Sequence, residues 1–160
     1  MQNIDMAFLR KFVPRRFDKF DFIPSNGASG GIVVIWNSVV FSVTVLDKKS
    51  FDLSIAFTSQ HNVATWNLTT VYGPCLEPAR TDFVNWLKNH HIDDDVNWLF
   101  LGDFNFYRSL DDRNKPGGNL QDTLIFNDII GQLGLVEHPL KGRAYTWSNM
   151  QQDPLLEQLD

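Results

Sequence analysis

The order of the hydrophobic patterns along the chain constrains its fold more than any other feature of the sequence. Short runs rich in β-branched and aromatic residues come first, and polar turns separate them; these runs lie at residues 31–36, 41–46, 53–58 and 65–72. An extended, aromatic segment at 17–24 precedes them. Successive strands joined by short turns favour antiparallel pairing, so this half predicts a β-meander.

The pattern changes after Gly73-Pro74, where helices and short strands begin to alternate. Phe83, Trp86 and Leu87 fall on one face at helical spacing, and residues 98–101 form a short apolar strand. A second helix is predicted from Asp122, a plausible N-cap, to a stop at Gly134. A last strand is predicted at 144–148. Strands first paired in a meander and then joined through helices indicate a mixed α/β domain.

Length and composition exclude several classes of protein. A chain of 160 residues with 13% aromatic residues can form one domain with a core, and is not of the disordered type. A single cysteine, Cys75, cannot form an internal disulfide, and no signal-peptide pattern precedes the first strand, so we expect an intracellular protein. No apolar run approaches the roughly 20 residues that span a bilayer, so we expect no membrane partner. A net charge of -5 argues against nucleic-acid binding through bulk charge alone.

The most informative segment is Gly-Asp-Phe-Asn at 102–105, at the end of the short apolar strand. An extended backbone would direct Asp103 and Asn105 to one side and Phe104 to the core. A carboxylate and an amide together at the end of a strand could take a proton from water and orient a phosphate. Alternatively, both residues only cap the turn that follows the strand.

Two further segments carry polar groups at strand positions. Tyr72 lies near the end of its strand, where its hydroxyl could donate to a phosphate oxygen or simply tether a half-buried ring. Residues 142–149 alternate polar and aromatic side chains and offer Thr146 and Ser148 to one face. The loop at 111–118 is most simply a solvated loop.

Together these segments resemble the endonuclease/exonuclease/phosphatase superfamily, and most closely the endonuclease domain of plant LINE-type (non-LTR) retrotransposons. The resemblance covers most of the chain from about Ser25 onward. It rests on an ordered set of motifs: Ser-Gly-Gly-Ile at 29–32 with Trp36, Val-Tyr-Gly-Pro at 71–74, Gly-Asp-Phe-Asn at 102–105, Leu-Gly-Leu at 133–135, Tyr-Thr-Trp-Ser-Asn at 145–149 and Leu-Asp at 159–160.

The resemblance implies a DNase I-like fold, a four-layer sandwich of two packed β-sheets flanked by helices. It also implies divalent-metal-dependent cleavage of phosphodiester or phosphomonoester bonds, usually with Mg²⁺. Asp103 would orient or deprotonate the attacking water, Asn105 would hold the scissile phosphate, and Tyr72 would stabilise the developing charge, all in one pocket. Asp160 would match the aspartate that orients the catalytic histidine or the metal.

For substrate binding, the resemblance implies that Thr146 contacts the substrate near the site. In the retrotransposon context Arg113 could touch the DNA backbone. The implied partner is DNA, and the parent polyprotein would carry a reverse transcriptase domain. The implied compartment is the nucleus or the cytoplasm.

The chain also departs from the family. The N-terminal strand–helix–strand unit with its metal-binding glutamate, usually in Gln-Glu-Thr, is missing, and so is the C-terminal Ser-Asp-His segment with the catalytic histidine. We therefore expect residues 1–160 to be one incomplete domain with negligible nuclease activity by itself. Two alternatives stay open: a non-enzymatic remnant or binding module, and a phosphatase branch of the same superfamily.

Overall fold

The computed structural model describes residues 4–26, 30–93, 95–138 and 140–159. They divide into two compact units. The first unit contains Met1–Tyr72 and Asp93–Gly102, and the second contains Gly73–Ile92 and Asp103–Asp160. No helix within the described ranges is both long and apolar enough to cross a bilayer.

The first unit is built mainly from strands. After a short helix α1 (Met6–Leu9), β1 (Lys19–Ile23) and β2 (Ile32–Trp36) form an antiparallel hairpin. A second sheet has the order β3-β4-β5-β6, with strands at Phe41–Lys48, Asp52–Ser59, Thr65–Tyr72 and Asn97–Asp103. The pairs β3–β4 and β4–β5 are antiparallel, which confirms the predicted meander for these three strands, whereas the predicted run at 31–36 forms β2 and pairs with β1 in the separate hairpin.

Side chains alternate between the two faces of β4, and buried residues on the two faces differ in character. Leu53, Ile55 and Phe57 belong to an apolar cluster that also contains Ile32 and Val34 from the hairpin. On the other face of β4, Asp52 and Ser54 are polar and equally buried. Asp52 is fully buried, and the hydroxyls of Ser54 and Thr69 lie 2.8 Å apart. The Trp98 indole donates to the Thr69 hydroxyl at 2.9 Å.

The second unit contains the longer helices. Its elements are α2 (Ala79–Lys88), a 3₁₀ turn (Leu110–Asp112), α3 (Leu120–Gln132) and a short antiparallel pair, β7 (Trp147–Ser148) with β8 (Leu156–Glu157). Its aromatic core includes Phe83 from α2, Phe126 from α3, and Phe104 and Phe106 from the segment after β6. Neighbouring rings in this core lie 5.3–6.4 Å apart.

Most predicted elements are present, so the mixed α/β class is confirmed. The bounds of β2 to β6 differ from the prediction by at most two residues, and two differences elsewhere are larger. The N-cap of α3 is Asn119, whose side chain accepts from two backbone amides, and Asp122 lies inside the first turn. The predicted strand at 144–148 is shortened to β7, because the pairing with β8 covers only two residues. The predicted helix stop is confirmed, since Gly134 has φ of +66°.

Candidate functional site

The segment after β6 forms a tight turn rather than an extended strand. Asn105 has φ of +54°, and its backbone N–H donates to Asp103 Oδ1 at 2.9 Å. We expected an extended backbone through this segment, but the left-handed conformation at Asn105 ends the strand at Asp103. Asparagine tolerates this conformation better than most residues. Phe104 is buried, as its alternate position predicted.

Gly73 holds this turn from the preceding loop. Its N–H donates to the Asp103 carbonyl at 2.7 Å, and its own carbonyl accepts from Asn105 Nδ2 at 2.6 Å. A Cβ on Gly73 would lie 2.0 Å from the Phe104 carbonyl oxygen. The close approach therefore requires glycine here, a role that the Gly-Pro pair in the sequence did not reveal.

Arg80, which the sequence analysis missed, supports the turn from α2. Its Nη1 donates to the Asn105 carbonyl at 3.1 Å, and its Nη2 pairs with Asp122 Oδ2 at 2.8 Å. The guanidinium also lies 3.8 Å from the centre of the Phe106 ring. No local pattern distinguishes Arg80 from an ordinary surface arginine in the first turn of a helix. The Nη1 hydrogen bond of Arg80 contacts the turn through the backbone carbonyl of Asn105 and not through the side chains of Asp103 or Asn105.

The C-terminal segment forms a third set of hydrogen bonds that includes the turn. The Leu159 carbonyl accepts from Phe104 N at 3.0 Å, and the Leu159 N–H donates to Thr146 Oγ1 at 3.1 Å. The structure thereby connects three segments that carry the resemblance, those of Gly73, Asp103–Asn105 and Thr146. The predicted site residue Asp160 lies outside the described residues.

The other two predicted site residues have different surroundings. Tyr72 belongs to the first unit, where its ring borders the apolar cluster and would lie 3.2 Å from a Cβ on Gly30. Arg113 is largely buried and pairs with Glu157 at 2.7 Å, with its guanidinium 5.7 Å from the Tyr107 ring. Its charge is therefore neutralised by a neighbouring carboxylate.

The side chains around the turn supply few ligands for a metal ion. Within the described ranges, no group of three or more histidine, cysteine, aspartate or glutamate side chains lies close enough together to hold an ion. The turn itself contributes the Asp103 carboxylate and the Asn105 amide. Mg²⁺ requires octahedral oxygen coordination, commonly completed by water and substrate phosphate. These two side chains by themselves supply too few oxygen ligands to enclose Mg²⁺.

The arrangement holds a carboxylate and an amide in one rigid turn. One Asp103 oxygen caps the turn, and one amide hydrogen of Asn105 is used by Gly73. A carboxylate positioned in this way can accept a proton from water, and the second amide hydrogen can donate to an anion.

Comparison with models of known protein families and with curated proteins found no match.

Proposed function

We propose that this chain contributes the Asp103–Asn105 turn to a phosphodiester-cleaving domain of the endonuclease/exonuclease/phosphatase type. The observation that carries the proposal is the way this turn is held. Gly73, Arg80 and Leu159 each bind its backbone or its amide, and they come from the loop before α2, from α2 itself and from the C-terminal segment. Such support holds reacting groups in place before the substrate arrives, which is how enzymes stabilise developing charge.

Backbone conformation adds a second argument. Non-glycine residues with positive φ are uncommon and are enriched at functional sites, and asparagine is among the residues that adopt this conformation with least strain. Asn105 is in this conformation and its neighbour Asp103 carries the only carboxylate of the turn. In the proposed reaction Asp103 orients or deprotonates the attacking water and Asn105 holds the scissile phosphate. Tyr72, Thr146, Asp160 and Arg113 keep their implied roles as predictions.

The finer features of the resemblance belong to the same proposal. They are the DNase I-like four-layer sandwich, the use of Mg²⁺, DNA as the substrate, and an origin in a plant LINE-type element with a reverse transcriptase. The packing of the β1–β2 hairpin against the larger sheet through a shared apolar cluster is compatible with two stacked sheets.

A second candidate is a non-enzymatic remnant in which the turn is purely structural. One observation favours it: Asp103 and Asn105 both use hydrogen-bonding groups within the turn or on Gly73. A residue that only caps a turn would make the same bonds.

The test is nicking of supercoiled plasmid DNA in Mg²⁺ by the polypeptide encoded by the whole reading frame that contains this sequence. Asp103→Asn should lower the nicking rate at least about 100-fold, because one member of a catalytic unit is removed. Asp82→Asn is the matched control, since Asp82 is an exposed carboxylate on α2 and should retain the wild-type rate. The 160-residue chain by itself should nick at a negligible rate.

Two results would contradict the proposal. One is nicking that is insensitive to Asp103→Asn, since the activity would then arise elsewhere. The other is a reading frame without the Gln-Glu-Thr and Ser-Asp-His segments and without nicking activity, which supports the remnant instead. Release of inorganic phosphate from a monoester without any nicking would assign the chain to the phosphatase branch.

A further inference from the structure

An open cleft lies in the first unit between the β1–β2 hairpin and the larger sheet. Its volume is about 360 Å³, at the lower end of the range for small-molecule sites. Apolar and aromatic side chains provide most of its walls, among them Phe17, Val34, Trp36, Phe41 and Trp66. The tryptophans, Phe41 and Phe17 are each only partly buried, so each leaves ring surface open to a ligand.

The aromatic walls are rigid because the rings support one another. Trp66 stacks on the buried Phe57, with ring centres 4.5 Å apart and planes within 8° of parallel. Trp36 and Phe41 each contact Phe57 edge to face. A planar ligand can therefore stack on these rings, and the protein side chains lose little conformational entropy when it binds.

Arg16 provides a cation at the same cleft. It is exposed and lines the cleft, with its guanidinium 5.2 Å from the centre of the Phe17 ring. Within the described part of the chain it forms no ion pair. The nearest carboxylate in sequence, Asp18, instead accepts from Ser38 N at 2.8 Å and from Ser38 Oγ at 2.6 Å. The positive charge of Arg16 is thus available to a ligand.

The loop that carries Arg16 is fixed at both sides. Arg10 Nη1 donates to the Phe17 carbonyl at 2.7 Å and to the Pro14 carbonyl at 3.1 Å. After the loop, Asp18 N donates to the Trp36 carbonyl at 3.0 Å. These bonds fix the backbone on both sides of Arg16, next to the aromatic walls. The pairing of one cation with an aromatic cleft selects a ligand that is both planar and negatively charged.

We propose that this cleft binds a planar aromatic anion, with its ring between the walls and its negative group against Arg16. A mononucleotide and an aromatic carboxylate share this chemistry. The inference is independent of the proposed nuclease function, because all of the residues concerned lie in the first unit and none belongs to the Asp103–Asn105 turn.

The experiment is calorimetric titration of the full chain with naphthoate, its neutral analogue naphthylmethanol, adenosine monophosphate and inorganic phosphate. Naphthoate should bind about three- to tenfold more tightly than naphthylmethanol, because only naphthoate can form an ion pair with Arg16. Arg16 is exposed, so this ratio of affinities is smaller than a buried ion pair would give. Arg16→Gln should abolish the difference. Arg15→Gln is the matched control, because Arg15 is also exposed but does not line the cleft.

A second readout locates the ligand without relying on a variant. In a two-dimensional NMR spectrum, naphthoate should shift the indole N–H signals of Trp36 and Trp66. The signal of Trp98, bonded to Thr69, and that of Trp147 in the second unit should stay in place. If adenosine monophosphate binds and causes the same shifts, the cleft is a nucleotide site. If naphthoate binds and adenosine monophosphate does not, the cleft is a site for aromatic acids.

The proposal is overturned if naphthoate does not bind at millimolar concentration, or if it binds no better than naphthylmethanol. It is also overturned if Arg15→Gln weakens binding as much as Arg16→Gln does, or if inorganic phosphate alone binds as tightly. Loss of Asp103-dependent nicking would leave these outcomes unchanged, so failure of one proposal is distinguishable from failure of the other.

Discussion

Replacing Gly73 with alanine tests whether the loop before α2 holds the Asp103–Asn105 turn in place. The added methyl group would lie 2.0 Å from the Phe104 carbonyl oxygen and 2.6 Å from its carbonyl carbon. Both of these atoms are backbone, so no side chain can rotate away to make room. The loop and the turn must therefore separate by more than an ångström before ordinary contact is reached.

The expected loss of stability combines two effects. Overpacking of this kind costs about 1–3 kcal/mol. Separation also weakens the two hydrogen bonds that Gly73 makes with Asp103 and Asn105, each worth about 0.5–1.5 kcal/mol. Relaxation of the loop reduces both contributions, so we expect a total of about 2–4 kcal/mol. Domains of ordinary stability have only about 5–15 kcal/mol, so the change is readily measured.

Urea unfolding at equilibrium measures the effect, with Gly131→Ala as the matched control. Gly131 lies in α3, where a Cβ would meet nothing within 4 Å. Alanine favours the helix there, so this variant should be more stable by about 0.5 kcal/mol. If Gly73→Ala unfolds at the wild-type urea concentration with an unchanged slope, the loop does not clamp the turn and the reasoning fails.

Two other predictions concern buried charge. Burial raises the pKa of Asp52 above its ordinary value, while the charge of Lys49 and the hydrogen bond from Ser54 oppose the rise. The native state therefore holds the Asp52 proton more tightly than the unfolded chain, and the stability this provides is lost as the pH rises through the folded pKa. Asp52→Asn should accordingly gain stability relative to wild type as the pH rises above about 4, the ordinary pKa of an aspartate, and a difference that stays constant with pH in thermal melts would contradict this. Arg80→Lys should cost about 1–3 kcal/mol, because an ammonium cannot reproduce the forked contacts with the Asn105 carbonyl and Asp122; urea unfolding that matches wild type would show that the fork is dispensable.

Local patterns in the sequence were sufficient to predict most strands and helices. The predicted strand at 65–72 coincides with β5, and those at 31–36 and 41–46 differ from β2 and β3 by one or two residues. These segments are rich in β-branched and aromatic side chains, whose preference for strands needs no distant partner. The start of α3 was misplaced because Asn119 and Asp122 are both good N-caps, and only the backbone path selects Asn119.

The candidate site was predicted in part. The sequence indicated that Asp103 and Asn105 end a strand, since an apolar run stops at Gly102. It could not indicate that Asn105 adopts a left-handed conformation or that Gly73 lies against Phe104. Nor could it indicate that Arg80 binds the Asn105 carbonyl, because 25 residues separate the two.

The residue types and the order of hydrophobic and polar residues along the chain therefore specify which helices and strands form. They also specify which side chains are available for chemistry. The partners of those residues depend on packing between segments far apart in sequence. Arg113 illustrates the difference: it was a candidate for DNA contact as one basic residue in a polar loop, and in the folded chain it pairs with Glu157, 44 positions away. Because a charge of either sign is stabilised by whichever opposite charge the fold brings beside it, the ion-pair partner of Arg113 depends on tertiary packing and not on the local sequence.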